Sequence, residues 1–281
     1  MTAPSAHDGP ALAGVLGWPV AHSRSPRLHG HWLARHGVAG HYVPLAVRPE
    51  DLAEALRALP RLGFRGVNVT LPHKEAALAL ARTATPTATL IGAANTLTFD
   101  GDGFVADNTD AYGFLQNLRQ AAPDWRAAAG PALVLGAGGA ARAVMAALIE
   151  AGAPEIRLTN RTRARAVALR EHFGPRVVVA DWQDAGAAAA GAATIVNTTS
   201  LGMEGGDEGV VDLGAAPASA LVTDIVYTPL DTPFLKAAAA RGLRVVDGLG
   251  MLLHQAAPGF ERWFGVAPLV DDDLRRAVLA P

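Results

Sequence analysis

Asn68, Thr70 and Lys74 stand within seven residues of one another in GVNVTLPHKE, at the end of an apolar run. Amide, hydroxyl and ammonium groups together form an inventory for gripping something rich in oxygen. Three further clusters share that character. HSRSP supplies Ser23 and Ser25, GAANT supplies Asn95 and Thr96, and DNTD supplies Asn108, Thr109 and Asp110. Each has a plainer reading when taken alone: Ser25 and Asp110 as helix N-caps, Asn95 as a turn residue, Lys74 as a surface lysine. Taken together they recur at the C-terminal ends of expected strands, where open α/β sheets bind ligands. One lysine and one aspartate among neutral Ser, Thr and Asn suit a polyol or a hydroxy acid.

A second kind of chemistry lies further along. Gly136-Ala137-Gly138-Gly139-Ala140-Ala141 follows the apolar run ALVL and opens a helical pattern. It fits G-x-G-x-x-A, in which glycines let a pyrophosphate approach backbone N–H groups at a helix N-terminus. The next strand, IRLT, ends in Asn160-Arg161-Thr162, with Arg165 one turn on. An NAD site usually has a carboxylate there for the ribose 2′-hydroxyl. Guanidinium and hydroxyl donors in its place suit a 2′-phosphate. Cations at a helix start oppose its dipole, which makes a ligand a better reason for them than solvent exposure. NADP is therefore expected over NAD.

The elements that must position these groups alternate between strand and helix. The first part reads as strands at ALAGVLG, HYVPL and GVNV and helices over Pro26–His36, Glu50–Leu59 and Lys74–Ala81. A hairpin joins Asn95–Phe99 to Phe104–Ala106, and a helix covers Asp110–Ala121. APDWRAAAGP breaks the pattern. Beyond it, strands are expected at ALVL, Ile156–Thr159, Val177–Val179, Thr194–Val196, Leu221–Asp224 and Arg244–Val246. Such alternation implies parallel sheet with helices on its faces. Two helices close the chain, MLLHQAAPGFERWF and DDDLRRAVLA.

Composition narrows the function class. The chain has 281 residues, 18% of them charged, and a net charge of −2. No basic surplus points to nucleic acid and no charge run to a membrane surface. The absence of cysteine excludes disulfides, thiolate zinc sites and thiol catalysis. No basic stretch followed by an apolar one opens the sequence, and no apolar run is long enough to span a membrane. The default expectation is a cytoplasmic protein. Nine histidines invite a metal hypothesis, but His29 and His31 fall on different helix faces and His22, His73 and His254 lack carboxylate partners at ligand spacing. No metal is expected, and no G-x-S-x-G elbow suggests a serine nucleophile.

The joint pattern resembles the shikimate dehydrogenase family. HSRSP, NVTLPHKE, GAANT and DNTD stand in that family's order, followed by GAGGAAR, NRT, NTTSLGM, DIVYTP, DGLGMLLHQ and FERWFG. The resemblance runs from about Gly17 to Gly265. It implies an α/β fold of two α/β domains: a substrate domain over 1–122, a Rossmann-type NADP domain over 123–247, and C-terminal helices over 248–281 that return to the first domain. The implied reaction is reversible reduction of 3-dehydroshikimate to shikimate by NADPH, in the route to chorismate and the aromatic amino acids. By resemblance, Lys74 and Asp110 are the catalytic pair. Ser23 and Ser25 hold the substrate carboxylate, and Asn68, Thr70, Asn95 and Gln255 take its hydroxyls. Tyr227 adds a contact from the cofactor domain. The resemblance agrees with the residue chemistry on Gly136, Ala137, Gly138, Gly139, Ala140, Asn160, Arg161, Thr162 and Arg165 for the cofactor. It alone adds Ile225, Gly248 and the NTTSLGM loop with Thr198. Closure of an interdomain cleft on binding is part of the same expectation.

The sequence departs from the family at His29-Gly30, where His-Asn is usual, and at Ala111, where glycine is more common. Neither change touches a proposed catalytic group. A quinate or aminoshikimate dehydrogenase and a non-catalytic NADP-binding sensor stay open as alternatives, and the oligomeric state, a homodimer among the options, is not legible.

Overall fold

The computed structural model describes residues 9–201 and 211–280. The first eight residues, read above for a signal peptide, and Gly202 and Met203 of NTTSLGM lie outside the described residues. The chain forms two compact units. One runs to Thr109 and resumes at Gln255; the other is Asp110–His254.

The first unit is built on a six-stranded mixed sheet. Its elements are β1 (Ala11–Gly17), α1 (Ser25–Arg35), β2 (Gly40–Ala46), α2 (Leu52–Ala58), β3 (Phe64–Val69), α3 (Lys74–Ala79), β4 (Thr83–Ala84), α4 (Pro86–Ile91), β5 (Thr96–Asp100) and β6 (Gly103–Asp107). The order is β2-β1-β3-β5-β6-β4. β1 pairs in parallel with β2 and β3, while β5 runs antiparallel to β3 and β6. β1 is buried almost throughout, as an interior strand covered on both faces should be. The short β4 and α4 carry no strong periodicity and are absent from the sequence reading. Thr85 caps α4 by accepting from Ala88 N.

The second unit holds a fully parallel sheet. Its elements are α5 (Asp110–Ala121), β7 (Ala132–Leu135), α6 (Gly139–Glu150), β8 (Ile156–Thr159), α7 (Arg163–Phe173), β9 (Val177–Ala180), β10 (Thr194–Asn197), β11 (Leu221–Asp224), α8 (Pro233–Ala240), β12 (Arg244–Val246) and the start of α9 (Leu249–Phe264). The order β12-β11-β10-β7-β8-β9 reverses direction between β7 and β10. That is the doubly wound dinucleotide-binding order, and the reversal is its switch point. Every residue of β7, β10 and β11 is buried.

The units divide earlier than the 122/123 and later than the 247/248 junctions read from sequence. α5 packs against α6 and β12, so residues from Asp110 onward go with the second unit. The rest of α9, with α10 (Asp272–Leu279), belongs to the first, where α10 packs on α1. A notch at Gly66 receives α9: a Cβ there would lie 2.0 Å from Trp263 Nε1, and that indole N–H donates to Leu97 O at 3.1 Å. Among the described residues, no helix is long and apolar enough to cross a membrane.

Candidate active site

In the first unit the polar residues gather at one end of the sheet. Asn68, next to last in β3, lies beside Val15 of β1 and Thr96 of β5. Thr70 follows, its N–H bonded to Leu16 O, and Val69 N–H bonds Asn95 O. Lys74 opens α3, and its carbonyl accepts Ala94 N–H at 2.9 Å. That bond ties the lysine backbone to the loop bearing Asn95. Ser23 lies in the loop between β1 and α1, and Ser25 is the first residue of α1. Ser25 does not cap α1: the cap position is Arg24, without a side-chain bond, and Ser25 N–H instead meets Ser23 Oγ at 3.3 Å. The proline at the next position sets the helix start, so the serine is drawn into the first turn.

A buried network joins these groups. Asn68 Nδ2 donates to Asn95 O and to Thr96 Oγ1, each at 3.1 Å, and Tyr42 donates to Asn68 Oδ1 at 2.7 Å. Asn95 Oδ1 accepts from Thr109 N at 2.8 Å, from Thr96 Oγ1 at 2.9 Å and from Thr109 Oγ1 at 3.1 Å. Asn95 Nδ2 faces Gln255 Oε1 at 3.3 Å. So Asn68, Asn95 and Gln255, far apart in sequence, form one cluster. Asp110 starts α5, one residue beyond Thr109, on the far side of the division between the units.

The second unit collects the Gly-rich turn and its neighbours. Gly136 has φ +105°, a conformation that favours glycine, and a Cβ there would lie 2.7 Å from Thr198 Oγ1. Thr198 in turn bonds Leu135 O through both its N–H and its hydroxyl. The turns after β7 and β10 are thereby butted together at the switch point. Gly138 caps α6 without a side-chain bond, and no acidic residue occupies the first turn. Asn160 Oδ1 accepts Ala137 N–H at 3.2 Å, which joins the end of β8 to the Gly-rich turn. Arg161, Thr162 and Arg165 are exposed. Among the described residues neither Arg161 nor Arg165 makes an ion pair, whereas their neighbour Arg163 pairs with Asp181. A bare helix N-terminus flanked by two uncommitted guanidiniums is a donor set that fits a dinucleotide 2′-phosphate and pyrophosphate. Gly248 lies against Ile225, where a Cβ would come within 2.4 Å of the Ile225 carbonyl oxygen. Tyr227 follows on the same loop and is half-buried.

The family models match along the chain. Residues 15–97 match the shikimate dehydrogenase substrate binding domain, 119–203 the shikimate / quinate 5-dehydrogenase domain, and 248–278 the shikimate 5′-dehydrogenase C-terminal domain. Shikimate dehydrogenase (NADP(+)) of Paracoccus denitrificans is 66% identical over 99% of each chain. The chain belongs to the shikimate dehydrogenase family. The Rhodospirillum rubrum shikimate dehydrogenase (NADP(+)) is 61% identical over 95% of this chain and 96% of its own. Among solved structures, the Thermus thermophilus shikimate 5-dehydrogenase in complex with NADP(H) and shikimate is 42% identical, with TM-score 0.85 over 95% of this chain and 98% of that one. The quinate dehydrogenase of Corynebacterium glutamicum in complex with NAD is 31% identical, with TM-score 0.87 over 97% and 99%.

Several residues that shape this shikimate dehydrogenase-type site were not singled out from sequence. Asp107 accepts Thr85 Oγ1 at 2.7 Å, Asn108 N at 2.8 Å and Arg262 at 2.6 Å, pinning α9 to the end of β6. Asp224 accepts Asn197 Nδ2, Thr232 Oγ1 and Val226 N, which braces the loops after β10 and β11. Burial pushes its carboxyl pKa up, against those bonds. Tyr42 supports Asn68 and Thr109 supports Asn95. Of these, Thr109 was read from sequence in DNTD, which Asp107 opens, and Asp224 stands within DIVYTP, while Tyr42 carried no local signal. Among the described residues, no group of three His, Asp or Glu could hold a metal ion.

Proposed function

We infer that the chain is an NADP-dependent shikimate dehydrogenase, which interconverts 3-dehydroshikimate and shikimate. The observation that carries this reading is its similarity, from end to end, to enzymes of that name. The absence of a carboxylate at the end of β8, with Arg161 and Arg165 in its place, supports NADP over NAD.

The residue roles are our proposal. The bound NADP nicotinamide supplies or takes the hydride at carbon 3 of the substrate ring. Lys74 Nζ stands for the group that gives the C3 oxygen its proton on reduction and takes it back on oxidation. An ammonium there stabilises negative charge developing on that oxygen. The Asp110 carboxylate balances the lysine charge and holds its proton-transfer geometry. Ser23 and Ser25 bind the ring carboxylate, while Asn68, Thr70, Asn95 and Gln255 read hydroxyls. Tyr227 adds a contact to the substrate. Gly136, Ala137, Gly138, Gly139 and Ala140 carry the pyrophosphate. Asn160, Arg161, Thr162 and Arg165 hold the adenosine 2′-phosphate, and Thr198, Ile225 and Gly248 line the nicotinamide side.

The test is the initial rate of reduced-nicotinamide formation from shikimate and from quinate, each with NADP and with NAD. Shikimate with NADP should be fastest, and no rate on shikimate would reject the reading. Lys74→Ala should lower kcat by about 10²–10⁴-fold with little change in KM for shikimate. A large rise in KM with kcat preserved would assign Lys74 to binding instead. A cytoplasmic location and a homodimer are further proposals, which cell fractionation and light scattering decide.

A further inference from the structure

The side chain of Asn68 is held in one orientation, and the atoms around it say which. Its two polar ends are alike in shape, so the network must decide between them. The Asn95 backbone carbonyl can only accept, so the atom 3.1 Å from it is the NH2 group. The second hydrogen of that group goes to Thr96 Oγ1. Both donors are therefore used inside the protein. Oδ1 receives the Tyr42 hydroxyl at 2.7 Å, and an amide oxygen can accept a second donor.

Tyr42 is itself held. Its ring stacks on His29 with centroids 3.8 Å apart and planes 4° from parallel. His29 is fully buried among Trp32, Phe260 and Trp263, and neither ring nitrogen has a hydrogen-bond partner among the described residues. Burial drives the His29 pKa down to about 3. Burial also pushes the Tyr42 phenol well above its ordinary value, so it remains an O–H donor. The opposite rule holds at Asn95. Its Oδ1 takes a backbone N–H, which can only donate, together with two hydroxyls. Any further contact from that side chain must come from Nδ2.

We propose that Asn68, its two N–H donors committed to Asn95 O and Thr96 Oγ1, is an acceptor only, that Tyr42, braced by His29, is the positioning residue that holds its oxygen in place, and that Asn68 therefore recognises a substrate hydroxyl by the hydrogen that hydroxyl donates. Asn95 is its counterpart: with its oxygen saturated, any hydroxyl it meets is met through Nδ2, at an oxygen lone pair. The two asparagines thus discriminate by opposite polarity, which their residue type alone does not specify. This rests on the shikimate reading above and adds the sense of each contact.

Fluorine and hydrogen analogues separate the two senses, because a C–F group can accept weakly but cannot donate. Dissociation constants would be measured by calorimetry for shikimate and for its deoxy and fluoro analogues at each of the three ring positions. The proteins are the wild type and Tyr42→Phe, which keeps the stacked ring and loses the hydroxyl. In the wild type, one position should tolerate fluorine no better than hydrogen; that hydroxyl is the one Asn68 reads. Tyr42→Phe should weaken shikimate binding about tenfold and weaken the deoxy analogue at that same position less than twofold. An equal loss across shikimate and all deoxy analogues would make Tyr42 a general packing residue and overturn the proposal. Fluorine binding better than hydrogen at every position would overturn it as well. The wild-type comparison needs no variant and decides the polarity by itself. A wild type that neither binds shikimate nor turns it over rejects the functional reading, and this inference with it.

Discussion

Arg161 and Arg165 owe their place to what the neighbouring positions lack. α7 begins without an acidic residue in its first turn, and Thr162 sits at its cap with no side-chain capping bond. Donors are thus left exposed, as the proposed 2′-phosphate site requires. Arg161→Ala should raise KM for NADP about tenfold or more, since a hydrogen bond to a charged group is worth about 1.5–3 kcal/mol. KM for NAD should move little, and paired cofactor titrations at fixed shikimate check this. His29 carries a pH dependence of known sign. Its folded pKa of about 3 lies below the ordinary 6.5. The unfolded chain takes up a proton below about pH 6.5 while the folded one does not. The stability from keeping the ring neutral is therefore full above that pH and is lost as pH falls toward 3, by about 1.4 kcal/mol per pH unit at most. Its ring contacts are Trp32, Tyr42, Phe260 and Trp263, with no carboxylate among them to rescue the cation. Unfolding midpoints between pH 7 and 4 should fall more steeply for the wild type than for His29→Phe.

At the scale of elements, the attachment of α9 to the first sheet depends on an empty space. Trp263 is fully buried, and its indole occupies the room above Gly66. Arg262, beside it, reaches Asp107, and Arg65 donates to Trp263 O at 3.0 Å. Gly66→Ala should lower stability by about 1–3 kcal/mol through overpacking, read as a shift of the denaturant midpoint. An unchanged midpoint would mean the helix can slide. Much of this layer was legible. The apolar strands of the parallel sheet, the Gly-rich turn and the hairpin all follow from local pattern. β4 and α4 were missed because a two-residue strand and a six-residue helix are too short to show a period. The Asp107–Arg262 pair was missed because nothing local links residues so far apart, and the orientation of Asn68 because residue type carries no rotamer. Ser25 was misread because a serine before a proline looks like a cap, although the helix begins at the serine.

At the scale of the whole molecule, the chain leaves the first unit after Thr109 and re-enters it at Gln255. That boundary was not legible. α5 looks like a continuation of the preceding hairpin, and only its packing on α6 and β12 assigns it elsewhere. The returning segment supplies Phe260 and Trp263 to the first core, and Leu269 O accepts the indole N–H of the buried Trp32. A chain ending at His254 should therefore keep a protease-resistant second unit while residues 9–109 become cleavable, as limited proteolysis with mass mapping would show. Equal resistance in both parts would mean that the first sheet is self-sufficient.

The same return sets an order of events during synthesis. The segment translated first cannot close its core until the final helices have left the ribosome, while the middle of the chain is complete beforehand. Domains tend to fold as units as they emerge. Here the nascent N-terminal half waits, with the faces that Phe260 and Trp263 will cover still open, during the interval when chaperones have the most to hold.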